Sequence, residues 1–354
     1  MKQDYLWDRS GEPDPEIEGL ENVLGRFRHG AAAPEFPLVT PRPKLRFTRS
    51  RRFWQLAAMA ATVALVFVLW TVLRRPQPGI APLKGWDVAR LAGTPRVGIT
   101  LLGGAEQAGK LAVGQTLQTD GQSRASVSVD DVGEVQVEPN TRLRLLESAP
   151  SRKRLALDRG TIRASIWAPA GEFTVDTPSA LAVDMGCAYT LHVDDSGAGL
   201  LRTTLGWVGF RLNGHESFIP AGAACATRPG IGPGTPYFED APEALRAALT
   251  ALDFGPAGER SAELNLILKQ ARTRDALTLW HLLPRVEGSD RARVYDRLAA
   301  LVPPPSQVSK DGVLRLDQTM LDLWWDKLGL GDISLWRHWE RSWSQHQNGD
   351  NNRP

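Results

Sequence analysis

The sequence predicts a mainly β domain followed by an α-helical domain, both carried behind one membrane-spanning helix and a short helical tail. Three patterns predict this order. Residues 53–73 form an uncharged apolar run, residues 87–228 alternate apolar and polar side chains in short stretches, and from residue 240 apolar residues recur at helical spacing.

The apolar run is FWQLAAMAATVALVFVLWTVL, with Gln55, Thr62 and Thr71 as its only polar members. At about 1.5 Å per residue a helix of this length crosses a hydrocarbon core of roughly 30 Å. Trp54 and Trp70 stand near its ends, where interfacial aromatics belong, and Arg74, Arg75 and Pro76 stop it. A buried core helix seldom lacks charge for so long. A cleaved leader would begin nearer residue 1 and end in small residues. Six basic side chains (Arg42, Lys44, Arg46, Arg49, Arg51, Arg52) precede the run, while Arg74, Arg75 and Lys84 follow it. The positive-inside rule therefore places the N-terminus in the cytoplasm and the bulk of the chain outside, as in a single-pass protein of a bacterial inner membrane. Anionic lipid headgroups, rather than nucleic acid, are the expected contact of the basic block. The net charge of +2 gives no overall argument for nucleic acid either.

Residues 1–52 are too few and too polar to bury a core of their own. Asp14-Pro15 reads as a helix start, and Ile17, Leu20, Leu24 and Phe27 then form one apolar stripe. Tyr5, Leu6 and Trp7 make a second apolar cluster, and four prolines between residues 31 and 43 mark an extended linker. A stripe with no domain to cover must find its partner elsewhere. These seven side chains are the candidate surface for a cytoplasmic regulatory protein, with a self-packed hairpin as the alternative.

After a linker at 74–86, pairs two apart recur: Val127/Val129, Val135/Val137, Leu143/Leu145, Leu155/Leu157, Ile162/Ala164/Ile166, Phe173/Val175 and Cys187/Tyr189/Leu191/Val193. Strands with one buried face give this pattern. Turn signals such as Asp120-Gly121, Asp158-Arg159-Gly160 and Asn213-Gly214 recur about every ten residues, which favours an antiparallel sandwich, roll or solenoid-like fold over alternating strands and helices. The Gly/Pro-rich stretch 229–239 reads as a linker. Helices are then expected to begin at Asp240-Ala-Pro242, Ser261, Asp275 and Ser289, with a fifth through Leu316, Met320, Leu323, Trp324 and Leu328. Trp336, Trp339 and Trp343 form an aromatic stripe on a last helix, with core packing as the ordinary reading and a binding surface as the other. The helical domain is expected to end near 346, leaving 347–354 disordered.

The stretch from Gly114 to Gly222 resembles the FecR domain of bacterial membrane signalling proteins. Three pieces carry the resemblance: GQTLQTDGQSRASVSVDDVGEVQVEPNTRLRL; LALDRGTIRAS leading through FTVDTPSALAVDMGCAYTLHV; and the closing GWVGF…FIPAGAACA. This chain has Gly186-Cys187 where the family usually has Gly-Thr. The resemblance implies an extracytoplasmic sensor or anchoring domain behind a single span, coupled in its best-known members to a cytoplasmic segment that regulates an alternative sigma factor. Residues 1–52 depart from the usual sigma-binding module.

Cys187 and Cys225 are the only cysteines, and both fall on the outer side. A disulfide is the favoured expectation, closing a loop worth roughly 3–4 kcal/mol in the chain-entropy picture, and two buried free thiols are the alternative. Gly104-Ala-Glu-Gln-Ala-Gly109-Lys110 imitates a phosphate-binding loop, yet Leu111 stands where a hydroxyl should hold magnesium and strand signals follow, so it reads as a hairpin turn. The six histidines have no metal-ligand spacing, and no catalytic constellation is visible. The sequence thus points to a non-enzymatic membrane signalling protein that needs no cofactor or metal. In this reading its outer domain meets an envelope partner and its tail a regulatory one, with a sigma factor as the candidate the resemblance supplies. The alternative is an envelope scaffold or glycan-binding protein without a regulatory role.

Overall fold

The computed structural model describes residues 85–350 except 213, 257 and 259, and side chains as far as Trp343. The apolar run 53–73 and the tail residues Tyr5, Leu6, Trp7, Ile17, Leu20, Leu24 and Phe27 lie outside the described residues. No helix among the described residues is long and apolar enough to cross a membrane.

The first half of this region is all strand. In chain order the strands are β1 (Gly85–Ala92), β2 (Arg96–Val97), β3 (Thr100–Leu101), β4 (Ala108–Ala112), β5 (Thr116–Gln118) and β6 (Arg124–Val129). There follow β7 (Gly133–Val137), β8 (Arg142–Ala149), β9 (Arg152–Ile166), β10 (Phe173–Asp176), β11 (Leu181–Asp184) and β12 (Ala188–Val193). The series closes with β13 (Gly199–Leu205), β14 (Trp207–Leu212), β15 (His215–Pro220), β16 (Ala223–Arg228), β17 (Gly232–Pro233) and β18 (Tyr237–Phe238). One sheet runs β4-β1-β6-β7-β9-β12-β13-β16, with β17 and β18 both pairing to β16. The other runs β3-β2-β5-β8-β9-β10-β11-β14-β15. The fold is therefore a two-sheet sandwich. Its pairings are antiparallel except β9 with β10.

Every apolar pair picked out by alternation in the sequence is buried, because one face of each sheet turns inward. One expected turn is not a turn. Asp158-Arg159-Gly160 lies within β9, whose first part pairs with β8 and β10 and whose second part pairs with β7 and β12 in the other sheet. Gly160 allows the crossing: its φ is +94°, and a Cβ there would lie 2.3 Å from Thr141 Oγ1. The mock phosphate loop begins as a tight turn bridged between Gly103 and Glu106, and its Gly109 and Lys110 already lie in β4.

The stretch 229–239, read as a linker, is built into the sandwich. β17 and β18 pair with β16, and Gly232 to Pro236 are buried. Helices follow: α1 (Glu243–Phe254), α2 (Arg260–Gln270), α3 (Ala276–Leu282), α4 (Gly288–Leu301), α5 (Lys310–Leu314), α6 (Gln318–Leu328) and α7 (Ile333–Asp350). Their starts fall within a few residues of the sequence signals, but the signals act differently. Asp240 pairs with Arg272 and Arg274 instead of capping α1, and Asp275 accepts from the Arg272 backbone N–H at 2.8 Å, closing the turn before α3. The helices share one continuous apolar core with the sheets.

Candidate functional site

The expected disulfide is absent: Cys187 and Cys225 are both free and buried. Register explains why. Cys187 stands just before β12 and Cys225 lies in β16, with β13 running between those strands. Ala188 faces Leu205 while Cys225 faces Leu201, and Cys187 lies one residue beyond Ala188, so the cysteines are two strand widths apart across the sheet and about five residues, roughly 16 Å, apart along it. Cα atoms so separated cannot be bridged without moving the backbone. Each thiol has another partner. Cys187 Sγ donates to Asp184 Oδ2 at 2.7 Å, and Cys225 Sγ to the Gly234 carbonyl at 3.3 Å. Burial pushes the Asp184 carboxyl up to about 7, opposed by the Cys187 thiol and the Gly186 backbone N–H that donate to it. Burial raises the Cys187 thiol strongly and the Cys225 thiol to about 12, which leaves both unreactive.

The helices attach to the sandwich at β15, the edge of its sheet. Phe218 donates its backbone N–H to His281 Nε2 at 2.9 Å, and the His281 Nδ1 lies 2.8 Å from the Leu277 carbonyl. A carbonyl only accepts, so the ring is neutral with its proton on Nδ1. Burial lowers its pKa to about 3. Arg285 donates to the Glu216 carbonyl at 3.2 Å and to Ser217 Oγ at 2.7 Å. Pro220 ends the strand without an N–H. The edge that would otherwise template another strand is thus consumed from within the chain.

Around this seam the tryptophans gather. The Phe218 ring lies 5.2 Å from Trp325 and 5.2 Å from Trp336, 5.7 Å from Trp207 and 5.9 Å from Trp280. Helix α7 docks through two glycine notches. A Cβ on Gly209 would lie 1.9 Å from the Trp336 ring, and one on Gly171 2.2 Å from that of Trp339. Trp336 Nε1 donates to Glu216 at 3.1 Å, and Arg337 bridges Glu216 at 3.0 Å and Asp322 at 3.1 Å. Core packing is therefore the role of Trp336 and Trp339.

Beyond the notches, α7 and the sheet diverge into an open groove of about 470 Å³. Leu335, Trp339 and Trp343 form its apolar wall, and Arg152, Arg154 and Glu172 face them. Arg154 is held by Asp176 through two bonds of 2.5 and 3.0 Å, which raise its pKa, and its guanidinium lies 5.5 Å from the Trp343 ring centre. Lys153, its side chain only 3% exposed, donates to the Pro150 carbonyl at 2.8 Å. The bidentate clamp and the stacked ring hold the guanidinium in one place. The groove thus sets an apolar wall beside a fixed cation and the Glu172 carboxylate. Among the described residues no three His, Cys, Asp or Glu converge as metal ligands. The Trp stripe is legible in the sequence, but Arg154 and Gly171 are not, because their roles depend on pairings distant along the chain.

Residues 115–205 match the family described as FecR protein. No curated protein matches the chain. Two crystal structures of a candidate anti-sigma factor from Parabacteroides distasonis resemble it, at 14% and 15% identity and a TM-score of 0.32 in both cases. The matched region is 38% of this chain in each, and it spans 63% and 62% of those chains.

Proposed function

We propose that the chain is a single-pass membrane signalling protein whose FecR domain and helices lie outside the cytoplasm and bind an envelope partner, while residues 1–52 bind a cytoplasmic regulator. The observation that carries this reading is a FecR domain at 115–205 placed behind the uncharged run 53–73 with its basic flank. The groove beside α7, with Arg154 fixed next to Trp343, supplies a recognition surface on the outer part. The tail stripe Ile17, Leu20, Leu24 and Phe27 supplies the inner one, and a sigma factor is the candidate occupant. Nothing in this reading calls for catalysis.

Three measurements test it. The full chain should stay with membranes through alkaline extraction, and a reporter fused after Gly79 should be active only outside the cytoplasm. Affinity capture from solubilised membranes should then recover a cytoplasmic partner with the native chain and lose it with Leu20→Asp/Leu24→Asp. Release from membranes at alkaline pH overturns the topology. Equal capture by the native and doubly substituted chains overturns the tail assignment.

A further inference from the structure

The exposed apolar side chains of the sandwich are unevenly divided between its two ends. Seven large ones stand out from it, and five lie along one end: Ile99 at 99% exposure, Leu205 at 68%, Trp167 at 66%, Leu101 at 52% and Val113 at 51%. The register fixes which end this is. Gly85, the first residue of β1, pairs with Ala112, so Val113 projects just beyond the point where the chain reaches the sandwich. Ile99 tips the β2–β3 hairpin. The preceding Gly98 donates its N–H to the Thr116 carbonyl at 2.9 Å and packs near Gln115, whose side chain in turn accepts from Ala112 N–H at 3.0 Å. Trp167 follows β9, and its indole N–H donates to the Asp131 carbonyl at 3.0 Å in the turn after β6, the strand next to β1. Leu205 lies two strands further along the same row, opposite Ala188. The other two, Leu91 and Ile231, stand singly at the far end.

An isolated surface leucine needs no explanation, but five large apolar side chains spread along one rim of the sandwich, a tryptophan among them, mark that rim as a contact surface. The length of chain before Gly85 says what covers it. The uncharged run ends at Leu73, leaving residues 74–84 to reach the sandwich. Fully extended, those residues span at most roughly 35–40 Å. The apolar rim is therefore the end of the sandwich at which this short connection arrives, at Gly85.

We propose that this end of the sandwich rests on the outer surface of the bilayer, with Ile99, Val113 and Trp167 entering its interfacial zone. The proposal rests on the reading that residues 53–73 span the membrane. Trp167 suits that zone, an apolar ring body with its N–H already satisfied by the protein. Asp130 and Asp131 flank it in the β6–β7 turn, and Lys110 is paired with Asp87 at 2.7 Å. The contact is thus apolar and not drawn by anionic headgroups, so it forms on zwitterionic lipid and persists in salt.

The test uses the full chain reconstituted in phosphatidylcholine vesicles. An environment-sensitive fluorophore is attached to Ile99→Cys, to Trp167→Cys, or, as a control at the far end, to Asp195→Cys. Cys187 and Cys225 are buried, so the introduced thiol labels selectively. Doxyl groups on the lipid should quench the probes at 99 and 167 several-fold more than the probe at 195, with aqueous iodide showing the reverse order. Equal iodide quenching at all three positions overturns the proposal. Shielding from iodide without quenching by lipid overturns it in favour of a protein covering the same face. Flotation of the same vesicles after alkaline wash separates the premises. Retained protein with an iodide-accessible position 99 sinks this proposal alone, and lost protein sinks the span with it.

Discussion

The docking of α7 makes a sharp energetic prediction at Gly209. This glycine does not have a positive φ, so alanine costs nothing in backbone conformation there. The cost is steric, because the new methyl would lie 1.9, 2.5 and 2.7 Å from three atoms of the Trp336 ring. The ring has nowhere to go. Phe218 is 5.2 Å from it on one side and Trp339 4.7 Å on another, and its N–H is held by Glu216. Gly209→Ala should therefore destabilise by about 3 kcal/mol, the upper part of the range for overpacked cores. Trp336→Leu removes most of a buried ring and a donor to Glu216, for about 3 kcal/mol as well. If the two residues occupied separate sites, the double variant would lose about 6 kcal/mol. Because leucine vacates the space the methyl needs, the double variant should lose only about 3–4 kcal/mol. Denaturant unfolding of the full chain in detergent, followed by near-ultraviolet circular dichroism, measures all three. Additive losses would refute the notch.

Acid should unfold the seam through His281. Its folded pKa of about 3 lies below the ordinary 6.5, so the unfolded chain binds the extra proton between those values and stability falls as pH falls, by about 1.4 kcal/mol per unit from this group. Asp184 has the opposite sign. Its folded value of about 7 exceeds 3.8, so its contribution is lost as pH rises between them. The two slopes oppose each other over most of that window. His281→Gln, which keeps an acceptor for Phe218, should therefore unmask a decline in stability between pH 4 and 7, and an unchanged profile in unfolding titrations counts against the assignment. Native protein should show no reaction with a thiol reagent and two reactive thiols once unfolded without reductant; recovery of none means a bridge forms. Cys187→Thr should be nearly neutral because it keeps a donor for Asp184, whereas Cys187→Val should cost about 1–3 kcal/mol above pH 7, read as a shifted denaturation midpoint.

How much of this the sequence showed depends on the distance over which each feature is specified. Alternation at Val127/Val129 or Ile162/Ala164/Ile166 is written within a few residues, because each strand has one inward face, and those side chains are all buried. The double use of β9 is not written locally. Asp158-Arg159-Gly160 carries the same residue types as a hairpin turn, and only pairing with strands distant in sequence, β8 and β10 before it and β7 and β12 after it, carries the chain on without reversing. The cysteine pairing failed for a related reason. Compartment and separation permitted a bridge, while the strand order that places β13 between β12 and β16 is a property of the whole sheet.

The supposed linker 229–239 shows the same limit with a larger consequence. Glycine and proline remove the alternation that announces a strand, yet β17 and β18 need only two residues each to pair with β16. They deliver the chain to α1 without leaving the core. The helices then spend His281 and Arg285 on the open groups of β15 and set Trp280, Trp325 and Trp336 around Phe218. A cut at residue 239 would uncover both a strand edge and this aromatic cluster. The FecR match ends at residue 205, before β14 and β15, so the strand that needs covering and the helices that cover it both lie outside the matched region. The fold boundary of the described region is therefore not the family boundary: the sandwich is completed by the helices, and the groove beside α7 exists only because α7 is seated on it.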